Sequence, residues 1–123
     1  MQKPVKIPGP DHPISLAPHD KRVRVTFNGV VIAETARALV MHEGGYPIVF
    51  YVPREDVDQS LLVRSNHATY CPYKGDASYF SIRIGDRISE NAIWSYENPY
   101  EAVAPIREHL AFYRNRVDAI EEI

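Results

Sequence analysis

The chemistry-bearing side chains of this chain concentrate in Ala68-Thr69-Tyr70-Cys71-Pro72-Tyr73-Lys74-Gly75-Asp76-Ala77-Ser78-Tyr79-Phe80, which holds the only cysteine, a lysine, an aspartate and three tyrosines. A thiol beside a cation is a candidate nucleophile, because the cation favours thiolate. The competing reading of Cys71 is a small buried core residue. Lys74 is either a solvated turn lysine or an ammonium presented to a carboxylate or phosphate. Tyr70, Tyr73 and Tyr79 are either packing residues with hydroxyls at a rim or a surface on which a ligand stacks. The candidate catalytic set is therefore Cys71, Lys74 and Tyr79. Tyr70 joins Arg37, Glu43 and Trp94 as candidate ligand-binding residues, with an Arg37–Glu43 ion pair as the structural alternative for two of them. His42 and His67 stand singly, without metal-ligand spacing.

Those residues need a bend to meet. Pro72 cannot donate to a sheet ladder and Gly75 tolerates positive φ, so Lys74-Gly75-Asp76 is expected to be a tight turn between two strands. Cys71 and Tyr79 would then face each other across a hairpin with Lys74 at its tip. A lysine there could be exchanged for methionine with little effect on folding.

Length and composition set the frame. A chain of 123 residues fits one domain with a real core, read as a proline-rich arm over residues 1–20 and a β-rich domain over 21–123. Net charge is -2 with both signs interspersed, which argues against nucleic acid and anionic membranes as partners. On composition a small, roughly neutral ligand or a protein partner is the better expectation, while Lys74 and Arg37 near the hairpin would favour a small ligand that is anionic at one end. One cysteine excludes an intrachain disulfide and a thiolate-rich zinc site, so no metal or other cofactor and a cytoplasmic setting are expected.

Five prolines between Pro4 and Pro18 exclude helix. They leave a mobile tail or an ordered arm, pinned by Ile7, Ile14 and Leu16, that covers a sheet edge or mediates a homo-oligomer. Asp11-His12-Pro13 reads as an Asx-type turn. Asn28-Gly29 within Val23–Thr35 is a strong hairpin signal. A two-residue loop there pairs Phe27 with Val30 and Val25 with Ile32, placing all four on one buried face. Residues 36–43 fit a helical turn or a strand. Tyr46 to Val52 reads as a buried strand stopped by Pro53, and Arg54–Asp58 as a short helical turn. Phe80, Ile82 and Ile84 alternate as an inward face, Gly85-Asp86 is a turn, and Ile88 to Tyr96 is a further strand.

Asn98-Pro99-Tyr100-Glu101 carries helix-start signals, with Val103, Ile106, Leu110 and Tyr113 as the buried face and Pro105 as a kink. Phe112 to Val117 is expected to be a last strand before an acidic tail. The inventory is six to eight strands and one late helix, a mainly β or α+β domain.

Pro8-Gly9-Pro10-Asp11-His12-Pro13-Ile14, the Arg22-Val23-Arg24-Val25 to Asn28-Gly29 hairpin, Tyr46-Pro47, Tyr51-Val52-Pro53, Cys71-Pro72-Tyr73-Lys74-Gly75 with Ala77-Ser78-Tyr79, Trp94-Ser95-Tyr96 and Phe112-Tyr113 together resemble the bacterial and fungal domain-of-unknown-function family 427. The resemblance implies small antiparallel sheets in a tent-like arrangement similar to methionine sulfoxide reductase B. Relatives of that fold often bind zinc through two Cys-x-x-Cys pairs, neither of which this chain has.

The family is sometimes labelled nucleotidyltransferase-like, and Gly44-Gly45 with Asp56-Val57-Asp58 resembles the pattern of enzymes that hold magnesium against a triphosphate. Here Pro53 ends the strand before the aspartates and no third carboxylate is evident. Three function classes follow: a small-molecule-binding module or enzyme around Lys74, a structural or interaction domain without catalysis, and a nucleotidyltransferase.

Overall fold

The computed structural model describes residues 3–123, which fold as ten antiparallel strands in two sheets. The larger sheet contains β1 (Ile14–Pro18), β4 (Leu39–Glu43), β5 (Val49–Pro53), β6 (Leu62–Cys71), β7 (Gly75–Ile84), β8 (Arg87–Ser95) and β9 (His109–Phe112), in the order β1-β4-β5-β9-β8-β7-β6. The smaller sheet contains β2 (Val23–Phe27), β3 (Val30–Thr35) and β10 (Ala119–Glu122), in the order β10-β2-β3. The fold is mainly β, and among the described residues no helix is long and apolar enough to cross a membrane.

Period-2 patterning explains how the large sheet is buried on both faces. In β7, Phe80 and Ile82 join a core with Val25, Phe27, Ile32, Val52, Ile93 and Leu110, supplied by both sheets. Ala77 and Tyr79 point the other way, into a second core with Tyr51, Tyr96, Val103 and Ile106. The expected inward face of Phe80, Ile82 and Ile84 is present, but Tyr79 is buried as well, because the segment carrying Val103 and Ile106 covers the second face.

Several local expectations need correction. At the first hairpin Asn28 and Gly29 both have positive φ (51° and 75°) and Phe27 opposes Val30. A bulge then intervenes, so Val25 opposes Ala33 rather than Ile32, and Val30 is exposed. The bulge has a local cause. The Ile32 carbonyl accepts from the Asp58 amide at 2.8 Å and Ala33 bridges to Val57, so chain arriving from β5 captures the outer edge of β3.

The central bend lies two residues earlier than expected. Cys71 opposes Gly75, and Pro72-Tyr73-Lys74 form the turn, closed by the Lys74 amide donating to the Cys71 carbonyl at 3.2 Å. Gly75, at φ 108°, starts β7 in a conformation that a side chain would strain. Cys71 and Tyr79 lie on one face of the hairpin but do not oppose each other, since Thr69 opposes Ala77 between them.

The strand expected from Tyr46 starts at Val49, with Tyr46 exposed. Residues 39–43 form a strand, and Arg54–Asp56 a short 3-10 turn as anticipated. The late helix is a single 3-10 segment, Glu101–Ile106, kinked at Val103. It buries Val103 and Ile106, whereas Leu110 belongs to β9. Asn98 does not cap it; Tyr100 occupies that position without a side-chain bond. The expected strand at 112–117 is replaced by the end of β9 and a 3-10 turn at Arg114–Arg116, and the acidic tail itself pairs with β2 as β10.

From residue 3 onward the proline-rich arm packs along the large sheet. β1 pairs with β4, Ile14 and Leu16 pack on the second core, and Ile7 stays exposed. Upstream, the Lys6 amide donates to the Pro72 carbonyl at 2.9 Å and Lys3 Nζ donates to Asp76 Oδ1 at 2.6 Å, laying the arm along the central hairpin.

A charged network ties the start of β6 to the end of β8. Arg64 donates to both Glu97 oxygens at 2.7 and 3.2 Å, Ser78 Oγ donates at 2.8 Å, and Arg54 Nη2 donates at 3.3 Å. The Arg64 hydrogen bond is the main cause of a Glu97 pKa lowered to about 2, against the opposing effect of burial. A carboxylate depressed in the folded state stabilises fully above its unfolded value and loses that contribution as pH falls through the folded one. For Glu97 that window runs from 4.5 down to about 2. Allowing for solvent screening of a partly exposed group, we expect about 2 kcal/mol to be lost across it. Urea unfolding at about pH 6 and about pH 3 should show more than half of this loss in wild type and a shallower pH slope in Glu97→Gln.

Candidate functional site

The site is built where two strands part. β5 and β9 pair only at Val52↔Leu110 and Pro53↔His109. Beyond that point Val49 and Phe50 separate from Phe112 and Tyr113, and a cavity of about 460 Å³ opens between them. Its walls are aromatic and aliphatic, with Phe50, Tyr79, Trp94 and Phe112 on the large sheet, Tyr96 and Tyr113 just past the ends of β8 and β9, and Val23, Val25 and Ile120 from the small sheet. Tyr46, Pro47 and Ile48 also line it, and all three are exposed. Three lining residues carry full charges: Glu43, Lys74 and Arg114.

Glu43 and Lys74 form an ion pair joining the end of β4 to the central turn, with side chains only 15% and 11% exposed. Each is fixed through its backbone. The Glu43 carbonyl accepts from the Tyr46 amide at 2.9 Å, and the next residue, Gly44, donates to the Pro13 carbonyl at 2.9 Å. The Lys74 carbonyl accepts from the Tyr100 amide at 3.1 Å. Lys74 Nζ donates to Glu43 Oε1, and His12 Nε2 lies 2.8 Å from Glu43 Oε2. Opposite a carboxylate that ring nitrogen carries the hydrogen and donates. The His12 ring stacks on Tyr73 with centroids 4.0 Å apart and planes 5° from parallel.

Burial works against the Glu43 carboxylate, yet the hydrogen bonds from Lys74 and His12 outweigh it and leave its pKa lowered. Glu43 is thus a carboxylate at neutral pH. Lys74 Nζ also sits 5.7 Å from the centre of the Tyr96 ring, a cation–π contact.

Burial holds three phenols in or beside the cavity in their protonated form. Burial pushes Tyr51 and Tyr96 up, and burial together with the Tyr79 contact pushes Tyr113 up to about 12. Tyr79 Oη lies 3.0 Å from Thr69 Oγ1 and 3.4 Å from Tyr113 Oη, and Trp94 Nε1 donates to Tyr51 Oη at 3.4 Å. Trp94 and Tyr113 meet at a 4.5 Å centroid distance. Arg114 lies 5.8 Å from the centre of the Phe50 ring and makes no ion pair among the described residues.

Of the residues singled out from sequence, Lys74, Glu43, Tyr79 and Trp94 line this cavity together. Cys71 is half-buried against the second core and is not a lining residue. Tyr70 lies outside the lining too. Its hydroxyl meets that of Tyr100 at 2.7 Å and donates to the Pro4 carbonyl. Arg37 is exposed and donates to Glu55 at 2.6 Å and Asp56 at 3.2 Å, so the Arg37–Glu43 pair does not form. His67 packs edge-on against Tyr79 at 4.5 Å, and His42 is exposed. His12, Tyr96, Tyr113 and Arg114 were not selected by sequence reasoning. Asp11-His12-Pro13 is fully explained as a turn, and Arg114 resembles any surface arginine until the strands part beside it.

The aspartates of the nucleotidyltransferase-like pattern are engaged elsewhere. Asp56 accepts from Thr35 Oγ1 at 2.7 Å and from Arg37, while Asp58 accepts from the Ser60 amide and hydroxyl at the start of a 3-10 turn. Both line a shallow groove along β3 that includes neither Gly44 nor Gly45. Among the described residues no group of three or more His, Cys, Asp or Glu side chains is arranged to hold a metal ion.

A search of curated proteins gave no match. A family profile described as "Domain of unknown function (DUF427)" matches residues 15–123, which include every strand except the first residue of β1. With that match spanning nearly the whole chain, the protein belongs to the DUF427 family.

Proposed function

We propose that this protein is a small-molecule-binding domain whose ligand has a planar apolar body and an anionic head. The observation that carries the reading is the composition of the cavity between β5 and β9. Its volume suits a small ligand, its walls are aromatic, and its three charged groups sum to one net positive charge because Glu43 and Lys74 cancel and Arg114 remains. Lys74 spends one of three ammonium protons on Glu43, so donors remain for an anion. Arg114, rather than Arg37, is the second cation available to that ligand. The aromatic lining, Trp94 among it, gives apolar surface against which the body can lie.

Trp94 is the only tryptophan, so its indole N–H gives a single resonance from a residue that lines the cavity. Titration with 2-naphthoate, 2-naphthamide and 2-naphthylmethylamine, followed at that resonance, varies charge at nearly constant shape. The acid should bind about tenfold more tightly than the amide, and the amine most weakly. An amine that binds as tightly as the acid overturns the reading.

A further inference from the structure

Glu43 has two carboxylate oxygens, and the fold supplies each with a different donor. Lys74 holds Oε1, and the N-terminal arm brings His12 to Oε2. The arm is built to do so. Gly9 and His12 exchange backbone hydrogen bonds of 2.9 and 3.3 Å in a closed turn, Pro13 accepts from the Gly44 amide immediately after Glu43, and Tyr73, immediately before Lys74, stacks on the imidazole. The histidine is thus locked to both sides of the ion pair it serves. Without a donor on Oε2, a carboxylate beside an ammonium can turn both oxygens toward it and occupy a second proton. The low pKa of Glu43, to which both donors contribute, agrees with a carboxylate held at two points.

We infer that His12 is a positioning residue of the cavity: by occupying Glu43 Oε2 it confines Glu43 to a single contact with Lys74 and leaves the other ammonium protons for the anionic head of the ligand. The inference rests on the binding function proposed above and assigns the arm a part in it. His12 itself is not among the cavity-lining residues, so its effect is on head-group selection and not on the apolar body.

Full-length His12→Ala and His12→Gln separate this role from a merely structural one, because the glutamine amide nitrogen can replace Nε2 as a donor. His12→Ala should bind 2-naphthoate about fivefold more weakly than wild type while its affinity for 2-naphthamide is unchanged, and His12→Gln should recover most of the loss. Equal naphthoate affinity in wild type and His12→Ala overturns the inference, as does a parallel loss of acid and amide.

A second readout needs no ligand. In protein labelled at lysine 15Nζ, the Lys74 resonance should shift in His12→Ala and return towards wild type in His12→Gln, and a resonance that does not move in His12→Ala also overturns the inference. If wild type binds neither naphthalene probe but the Lys74 resonance responds as stated, the ligand proposal fails and the positioning of Lys74 by His12 stands.

Discussion

Lys74→Met is expected to lower the unfolding free energy by about 2–3 kcal/mol, the cost of leaving a largely buried carboxylate without its cationic partner. The turn position alone suggests a solvated lysine whose loss spares the fold. The structure reverses that expectation, because the Lys74 side chain is 11% exposed and its partner Glu43 only 15%. The penalty belongs to Glu43, so removing that charge as well should relieve it. In Glu43→Gln/Lys74→Met a neutral amide faces a thioether, and stability should return to within about 1 kcal/mol of wild type. Urea unfolding of the two single variants and the double variant measures this directly. A double variant no more stable than Lys74→Met would mean that the lysine stem, and not the charge pair, holds the turn.

A larger loss is expected from Leu110→Ala. Leu110 is fully buried in β9, opposite Val52, in the core shared by the two sheets. Removing its branched end leaves a void that the flanking strands cannot close, because each is held by its own ladder. We expect a loss of about 3–4 kcal/mol, with cavity formation adding to the lost transfer energy. The same strand pair borders the cavity, so Leu110→Ala should also broaden the Trp94 indole resonance. A loss below about 1 kcal/mol in urea would show that β9 is not part of the cooperative core.

What the sequence discloses about this fold follows the range of each interaction. The turn at Asn28-Gly29 is legible because two adjacent residues determine it, and both have the positive φ the pair suggests. The register beyond Thr26 is not, since the bulge depends on Asp58 and Val57 reaching the outer edge of β3. The late helix carries every local start signal, yet Pro105 and the positive φ of Glu108 end it, and Leu110 gains more by pairing within the large sheet than by extending a helix.

The site divides the same way. Lysine, tyrosine and tryptophan in an aromatic-rich setting can be nominated by residue type. Glu43 can be nominated as well, but not as the partner of Lys74, because it lies 31 residues away and reaches the lysine only through the order of strands in the sheet. Arg37 was a reasonable choice by charge, but the nearby acidic turn at Glu55 and Asp56 claims it.

The pair-neutralised double variant provides the most direct test of the central claim, since it removes the Lys74 ammonium that would meet the ligand's anionic head while leaving Arg114 and the fold in place. Dissociation constants for 2-naphthoate and 2-naphthamide should be measured on wild type and on Glu43→Gln/Lys74→Met under identical conditions at the Trp94 indole resonance. The account predicts at least about a tenfold loss of naphthoate affinity with naphthamide unchanged, the effect of deleting one charge-assisted hydrogen bond. Naphthoate binding of equal strength in both proteins would contradict it.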